Sequence, residues 1–238
     1  MTAPVPRRPA ALRAVLFDMD GLLVDSEPLW FEVERTVMAR LGGQWGKADQ
    51  QALIGGSLDR TVSWLLAKAA VPASRDDVAR WLVAEMAALI GARGLPLQPG
   101  AGPLLAGLDA ASVPYALVTA SSRAIMEAVL KVTAVRFSVT ICGDDVRRGK
   151  PDPEPYMLAA DKLGVPTAGC VVLEDSPTGI AAARAAGCPV IAVPSVPVPP
   201  GPGLVTVRSL EEVGIDLLED VVTGNFDGLG RAVTEESR

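Results

Sequence analysis

The chain has 238 residues, of which 49% are hydrophobic and only 4% aromatic, and its formal net charge is −6 at pH 7. This length suits one large domain or a domain with a smaller insert, and the acidic balance excludes the basic footprint of a nucleic-acid-binding protein. The sequence contains no histidine, which excludes Ser-His and Cys-His nucleophile pairs, histidine zinc sites and imidazole acid–base catalysis.

The cysteines and the hydropathy pattern indicate the cellular compartment of the protein. Cys142, Cys170 and Cys188 are widely spaced and lie in or beside apolar runs, which is typical of buried free thiols in a reducing compartment. No apolar stretch is long enough to cross a bilayer, and the run after Arg7 and Arg8 is too short for a secretory signal. We therefore expect a cytoplasmic protein with neither a membrane nor a nucleic acid as its partner.

The first predicted strand ends in two acids. Residues 14–17 form a short apolar run that stops at Asp18, Asp20 and Gly21, and such a run predicts a buried strand. Ligands of open α/β sheets bind at the carboxyl ends of the strands. Two carboxylates this close repel each other unless a cation or a shared proton relieves them, so the pair suits a divalent metal site, or a nucleophile beside an acid. The alternative is a solvated turn whose acids cap the following segment.

The segment from residue 29 to residue 94 carries helical patterns and no strand signal. Apolar spacing, a capping signal and glycine stops predict helices over Leu29–Leu41, Asp59–Ala70 and Arg75–Ile90. We therefore predict that residues 29–94 form an α-helical cap. This cap would be inserted into an α/β core made of residues 10–28 and 95–238.

Beyond residue 95, predicted strands and helices alternate. Apolar runs predict strands over Tyr115–Thr119, Val139–Cys142, Cys170–Leu173 and Val190–Val193. Helices are predicted between them, over Arg123–Val132 with Ser121 and Ser122 as caps, over Pro153–Leu163, and from Ser176 to Gly187. This alternation is typical of an α/β fold whose parallel sheet is covered by helices on both faces. Residues 194–203, rich in Pro and Gly, predict an extended loop.

Six chemically active side chains follow the predicted strands. They are Asp18, Asp20, Thr119, Lys150, Glu174 and Asp175. The carboxyl ends of parallel strands lie along one edge of the sheet, so we expect these residues to converge. Each has a plain structural explanation when taken singly: a strand-end hydroxyl, a solvated loop lysine, or acids that favour a helix N-terminus. Their coincidence at successive strand ends is hard to explain by chance, and it predicts a phosphoryl-transfer site.

The acids of this site receive distinct roles. Asp18 is the candidate nucleophile, which would form an aspartyl-phosphate. Asp20 is the candidate acid and base for the leaving group and the attacking water. Mg²⁺ is the expected cofactor, with oxygens of Asp18, Asp175 and a backbone carbonyl as ligands. Asp20 is counted with the metal site, although its side chain is expected to lie off the metal.

The remaining residues are assigned to the phosphate. The Lys150 ammonium and the Thr119 hydroxyl are expected to hold phosphate oxygens as charge spreads over them. Backbone N–H groups from Ala120 onward, at the start of the following helix, suit the same anion.

These motifs resemble those of a known family. The segments DMDGLLVDSEPLW, VTASS, GKPDPEPY and VVLEDSPTGI are similar to the four ordered motifs of the haloacid dehalogenase superfamily. They most resemble its phosphatases with a helical cap, near β-phosphoglucomutase, and the resemblance spans about residues 15–193. It implies a Rossmann-like core, an α-helical cap and Mg²⁺. It also implies Asp18 as nucleophile, Asp20 as acid and base, Thr119 and Lys150 on phosphate, and Asp175, with Glu174 as a lesser contributor, on the metal.

Departures from this pattern concern the cap and weigh against two related activities. β-Phosphoglucomutase has a histidine shortly after the first motif and an arginine after a Gly-x-Ser turn. Here the corresponding positions hold Trp30 and Leu58, and Arg60 is offset. A mutase needs its cap to hold a second phosphate, so mutase activity is disfavoured. The superfamily's dehalogenases lack the second aspartate of the first motif, which is present here as Asp20.

Substrate specificity is assigned to the cap. The turn made by Gly55, Gly56 and Ser57 is a candidate for facing the phosphate, and a plain connector fits equally well. Trp30 is a candidate for stacking on a sugar, with cap core as the alternative. Arg60 is a candidate for binding a substrate anion, with a solvated helix start as the alternative.

The sequence as a whole predicts a Mg²⁺-dependent phosphatase of small phosphomonoesters, with sugar or polyol phosphates suggested by the resemblance alone. One alternative is a sugar-phosphate mutase of the β-phosphoglucomutase type. Another is a receiver-like signalling module, which also surrounds a phosphorylated aspartate with acids, Mg²⁺, Thr and Lys. The inserted cap and the Asp18/Asp20 pair weigh against the receiver. The expected partner is a small phosphorylated metabolite, and the oligomeric state is open, with a monomer favoured.

Overall fold

A parallel sheet forms the centre of the computed structural model, which describes residues 11–53, 56–199, 201 and 204–225. Its strands are β1 (Ala14–Phe17), β2 (Tyr115–Val118), β3 (Val139–Ile141), β4 (Cys170–Glu174), β5 (Val190–Ala192) and β6 (Leu204–Thr206). Their order is β3-β2-β1-β4-β5-β6, and every neighbouring pair is parallel. The strand order reverses at β1, and open sheets of this kind bind ligands at that switch point.

After β1 the chain leaves the core and builds a helical cap. The cap helices are α1 (Glu27–Arg40), α2 (Lys47–Gln51), α3 (Leu58–Lys68) and α4 (Arg75–Arg93). The described residues between 29 and 94 contain no strand, as predicted. The predicted fold class, a Rossmann-like sheet with an inserted α-helical cap, is confirmed. The domain borders at residues 28/29 and 94/95 stay predictions, and parts of the predicted core, such as residue 10 and residues 226–238, lie outside the described residues.

Helices of the core cover both faces of the sheet. They are α5 (Ala101–Ala110), α6 (Arg123–Thr133), α7 (Glu154–Leu163), α8 (Pro177–Ala185) and α9 (Ile215–Thr223). Val15 and Phe17 of β1 point into a core shared with α5, α6, α9 and the cap, whereas Ala14 and Leu16 point into a core shared with α7 and α8. All four side chains are fully buried, as expected for a strand with both faces covered. Since α4 packs on α6, the cap rests directly on the core.

One predicted capping interaction is wrong. Ser122 is the N-cap residue of α6, but its hydroxyl makes no capping hydrogen bond. Instead, the backbone N–H of Arg123 donates to Asp144 Oδ2 at 2.7 Å. An acid from the loop after β3 therefore caps α6, and the hydroxyl of Ser121, the other predicted cap, donates to Asp20 Oδ2 at 2.7 Å.

Elements α2, β6 and α9 were not predicted; β6 has only three residues and follows the segment 194–203, whose described residues form neither helix nor strand. The three cysteines are buried and free, as expected. None of the helices in the described part of the chain combines the length and the apolar character needed to span a membrane.

Candidate active site

A buried ammonium group shared by two carboxylates forms the centre of the site. Lys150 Nζ donates to Asp18 Oδ1 at 2.5 Å, to Glu174 Oε1 at 2.6 Å and to the backbone oxygen of Val118 at 2.9 Å. The three side chains are at most 9% exposed. A lysine ammonium has three donors, and here all three are used. Lys150 therefore connects the carboxyl ends of β1, β2 and β4.

Burial controls the protonation of this centre. It raises the pKa of Asp18 well above its ordinary value, and the Glu174 carboxylate adds to this effect while Lys150 opposes it. Burial and Glu174 also raise the pKa of Asp175 to about 7. Burial alone would lower the pKa of Lys150, but Asp18 and Glu174 outweigh it and raise that pKa, so the amine stays protonated. Three acids thus face one ammonium, and an added cation would favour the ionised forms of Asp18 and Asp175.

The carboxylates form a cluster that could hold a metal ion. Oxygens of Asp18, Glu174 and Asp175 lie within 4.8 Å of one another, and hard cations prefer such ligands. Glu174 is already occupied: besides the ammonium, it accepts hydrogen bonds from Tyr156 Oη at 2.7 Å, from the N–H of Asp175, and from the N–H and hydroxyl of Ser176, the last three at 3.0 to 3.1 Å. Asp18 and Asp175 are therefore the more available ligands.

The loop after β1 packs closely against Asp175. Gly21 has a φ of +82°, and a Cβ there would lie 2.3 Å from Asp175 Oδ2. Glycine permits both the left-handed backbone and the close approach. As a result, the backbone after Asp20 and the Asp175 carboxylate lie side by side, an arrangement that suits a metal site with ligands from β1 and β4.

Asp20 points away from the carboxylate cluster. Its Oδ1 accepts from Ser26 Oγ at 2.7 Å and from Trp30 Nε1 at 3.3 Å, and its Oδ2 accepts from Ser121 Oγ at 2.7 Å and from Thr119 Oγ1 at 3.3 Å. Two of these donors lie at the start of the cap and two lie after β2. Its side chain therefore contacts both the cap and the core and is not one of the three clustered carboxylates.

A cavity of about 100 Å³ lies between the core and the cap. Predicted site residues that line it are Asp18, Asp20, Trp30, Gly56, Ser57, Thr119, Ala120, Lys150 and Asp175. Ser122 also lines it, and its buried hydroxyl has no hydrogen-bond partner among the described residues.

The other predicted site residues lie off the cavity or outside the structure. Glu174 is fully buried and does not line the cavity. Arg60 is exposed and donates to the backbone oxygen of Ala52 at 2.7 Å, so the structure does not bring it to the cavity. Gly55 lies outside the described residues.

The cap wall contains a buried acid that the sequence analysis missed. Glu34 on α1 lines the cavity, is 4% exposed, and accepts a hydrogen bond from Trp45 Nε1 at 3.0 Å through its Oε2. Burial raises the pKa of Glu34 to about 7, although the Trp45 hydrogen bond lowers it. A signal was present in the sequence, because Glu34 lies on the helix face that also carries the buried Val33 and Val37. An acid within an apolar stripe is unusual for a solvated helix face.

A Rossmann-like sheet with a helical cap inserted after its first strand places this chain in the class of capped α/β enzymes. The model of the haloacid dehalogenase-like hydrolase family matches residues 12–187, and the chain belongs to that family. The resemblance that the four motifs indicate is thereby confirmed.

Individual relatives agree with this assignment. Hexitol phosphatase A of Escherichia coli (strain K12) is 35% identical over 182 residues, which is 76% of this chain and 82% of the relative. CbbY of Rhodobacter sphaeroides, with crystal structures in complex with phosphate and with xylulose-(1,5)bisphosphate, superposes with a TM-score of 0.80 at 28% identity, covering 87% of this chain and 99% of CbbY. β-Phosphoglucomutase of Clostridium difficile gives a TM-score of 0.74 over 91% of this chain and 99% of its own, and at 20% identity this likeness concerns the fold alone.

The packing around Glu174 predicts that a larger residue at position 179 destabilises the folded protein. A Cβ at Gly179, in the first turn of α8, would lie 1.6 Å from Glu174 Oε1. We expect Gly179→Ala to displace the Glu174 carboxylate and lower the free energy of unfolding by roughly 1–3 kcal/mol, measured by denaturant unfolding. Gly107→Ala in α5 is the matched control, because nothing lies within 4 Å of its Cβ position. Equal stability of the two variants would contradict this packing.

The raised pKa of Glu34 predicts a pH-dependent stability. Its carboxyl has a pKa of about 7 in the folded protein against 4.5 ordinarily, so its contribution to stability is complete below pH 4.5 and is lost as the pH rises to about 7. The free energy of unfolding of Glu34→Gln, taken relative to that of the wild type, should therefore rise by on the order of 1–3 kcal/mol between about pH 5 and about pH 8. Glu85→Gln, at an exposed cap position, should show no such gain in denaturant unfolding. An equal gain in both variants would contradict the assignment to Glu34.

Proposed function

We propose that this protein is a Mg²⁺-dependent phosphatase of small phosphomonoesters, which acts through an aspartyl-phosphate on Asp18. The observation that carries the proposal is the Asp18 carboxylate on the cavity wall, paired with the Lys150 ammonium and clustered with Asp175. A nucleophile, a cation for the phosphate and an acidic metal site thus meet at one point. Phosphoryl transfer requires mainly such positioning and charge stabilisation.

In the first step, an oxygen of Asp18 attacks phosphorus while the bond from phosphorus to the leaving oxygen breaks. Asp20 gives its proton to that leaving oxygen, so an alcohol departs. In the second step, the Asp20 carboxylate removes a proton from water, and the water oxygen attacks the phosphorus. The bond between phosphorus and Asp18 then breaks, which restores the Asp18 carboxylate and releases inorganic phosphate.

Other residues hold the transferred group. To hold the phosphate, Lys150 would exchange one of its three present acceptors for a phosphate oxygen on which charge develops, and the Thr119 hydroxyl would turn from Asp20 to the same group. The backbone N–H of Ala120 would donate beside them from the end of β2. The Ser122 hydroxyl, buried beside the cavity without a partner among the described residues, is a further donor available to the anion.

The donor set fits Mg²⁺. Asp18, Asp175 and a backbone oxygen after β1 would hold it, and when bound it would neutralise the negative charge between nucleophile and phosphate. Glu174 is proposed to act through its hydrogen bonds to Lys150 and to the start of α8, and to contribute less to the metal.

Sugar and polyol monophosphates are the proposed substrate class. The similarity to hexitol phosphatase A supports this class. A cavity of about 100 Å³ also suits a small metabolite, since sites for drug-sized ligands measure roughly 300–1,000 Å³. A mutase is disfavoured because neither Lys nor Arg lines the cap wall among the described residues. A monomeric state and a cytoplasmic location are part of the same proposal.

The central test is the replacement of the nucleophile. Asp18→Asn should lower Mg²⁺-dependent phosphate release from p-nitrophenyl phosphate by at least about 10³-fold, because the amide cannot form the acyl phosphate. Asp25→Asn, at an exposed position in the same motif, should retain activity, and removing Mg²⁺ with a chelator should abolish it in both the wild type and this control. A folded Asp18→Asn variant with near-normal turnover would refute the proposed nucleophile.

A further inference from the structure

The two walls of the active-site cavity differ in charge. Lys150 is the only cation that lines the cavity among the described residues, and it belongs to the core wall, where it is paired with Asp18. Polar groups of the cap wall are of a different kind: two carboxylates, an amide and two hydroxyls. They belong to Glu27, Glu34, Gln50, Ser57 and Thr61. The part of a substrate that extends beyond its phosphate therefore meets a wall with two acidic side chains and, among those residues, no Lys or Arg.

Glu34 is the most constrained of these acids. Trp45 Nε1 donates to its Oε2 at 3.0 Å, while its Oε1 accepts no hydrogen bond from any described residue. The residue is 4% exposed, and among the described residues Ser122 Oγ is the only fully buried side-chain polar atom without a hydrogen-bond partner, so Glu34 Oε1 remains accessible. Because Glu34 lines the cavity, a donor on the ligand is the natural partner for that oxygen.

Gln50 adds a second acceptor to the same wall. Its amide nitrogen donates to the backbone oxygen of Glu27 at 2.9 Å and to Glu27 Oε2 at 3.3 Å. These contacts occupy both amide hydrogens and leave the amide oxygen as the group available to a ligand. Glu34 and Gln50 thus present acceptors to whatever occupies the cavity, beside the Ser57 and Thr61 hydroxyls, which can donate or accept.

Acceptors of this kind discriminate between leaving groups. A sugar or polyol hydroxyl donates a hydrogen bond, whereas a second phosphate or a carboxylate offers only acceptors and brings negative charge beside Glu27 and Glu34. The Trp30 ring in the same wall adds an apolar surface for the carbon skeleton of a polyol.

We propose that the cap wall is a hydroxyl-binding surface, in which Glu34 accepts a hydrogen bond from a hydroxyl of the leaving group. The preferred substrates are then monophosphates of uncharged polyols or sugars, and bisphosphates and phosphocarboxylates are rejected. This inference rests on the proposed function of the site. Glu34 is a specificity-determining residue, since it contacts the substrate away from the reacting phosphorus.

The wild-type enzyme with Mg²⁺ provides the first test. We expect kcat/KM for a hexose monophosphate to exceed that for the matched bisphosphate by about tenfold or more, with phosphoglycolate similarly disfavoured and a hexitol monophosphate accepted. A preference for the bisphosphate, for phosphoglycolate or for the cationic phosphoethanolamine would overturn the inference, while phosphate release would still support a phosphatase. Absence of hydrolysis of every substrate, p-nitrophenyl phosphate included, would overturn the proposed function as well.

A variant isolates the contribution of Glu34. At pH 8, where the Glu34 carboxyl with its pKa of about 7 is mostly ionised, the ratio of kcat/KM for the hexitol monophosphate to that for p-nitrophenyl phosphate should fall about tenfold or more in Glu34→Gln, because a charged acceptor is lost and the aromatic leaving group has no hydroxyl to bind. The loss should appear mainly in KM, as expected for an interaction made equally in the bound and transition states.

The matched control has the same change of charge elsewhere on the cap. Glu85→Gln, at an exposed position, should keep the wild-type ratio, and denaturant unfolding shows whether each variant is folded. A folded Glu34→Gln variant with an unchanged ratio would overturn the inference.

Discussion

The buried ammonium of Lys150 is the interaction on which the site depends. It contacts Asp18 after β1, the backbone of Val118 in β2 and Glu174 in β4, so the ends of three strands meet at one charge. Without it, two carboxylates would remain buried with no counter-charge, a situation that is strongly destabilising in proteins. Burial and Glu174 raise the pKa of Asp18, and the ion pair opposes this rise, so it favours the carboxylate that a nucleophile requires. One contact therefore both stabilises the buried carboxylates and favours the reactive form of Asp18.

Around this ion pair, residues with no proposed covalent role hold the reacting groups in place. Glu174 uses both carboxylate oxygens to orient Lys150 and the first turn of α8, and Gly179 leaves the space that this carboxylate occupies. Asp20 is held by donors from both the core and the start of the cap. The proposed acid and base therefore contacts both the core and the start of the cap.

Much of this arrangement follows from the sequence, because it depends on local pattern and on topology. Strands β1 to β4 are short apolar runs, and parallel pairing brings Asp18, after β1, and Lys150, after β3, to the same edge once those strands are assigned. Other features depend on packing that no local pattern reveals. The contacts of Asp20 with Ser26 and Ser121 depend on the conformations of the loops after β1 and β2, and Arg60 turns to the Ala52 carbonyl instead of the cavity. Glu34 was detectable as an acid on an apolar helix face, but its place in the cavity wall follows only from the position of α1 over the core.

The central claim is that the phosphoryl group passes through the Asp18 carboxylate, and chemical trapping tests it most directly. Turnover of p-nitrophenyl phosphate with Mg²⁺ would be quenched and reduced with borohydride, which converts an acyl phosphate of aspartate to homoserine, and the peptides would be analysed by mass spectrometry. The account predicts homoserine at position 18 and none at position 20. Modification of another residue, or steady turnover with an unmodified Asp18, would contradict it.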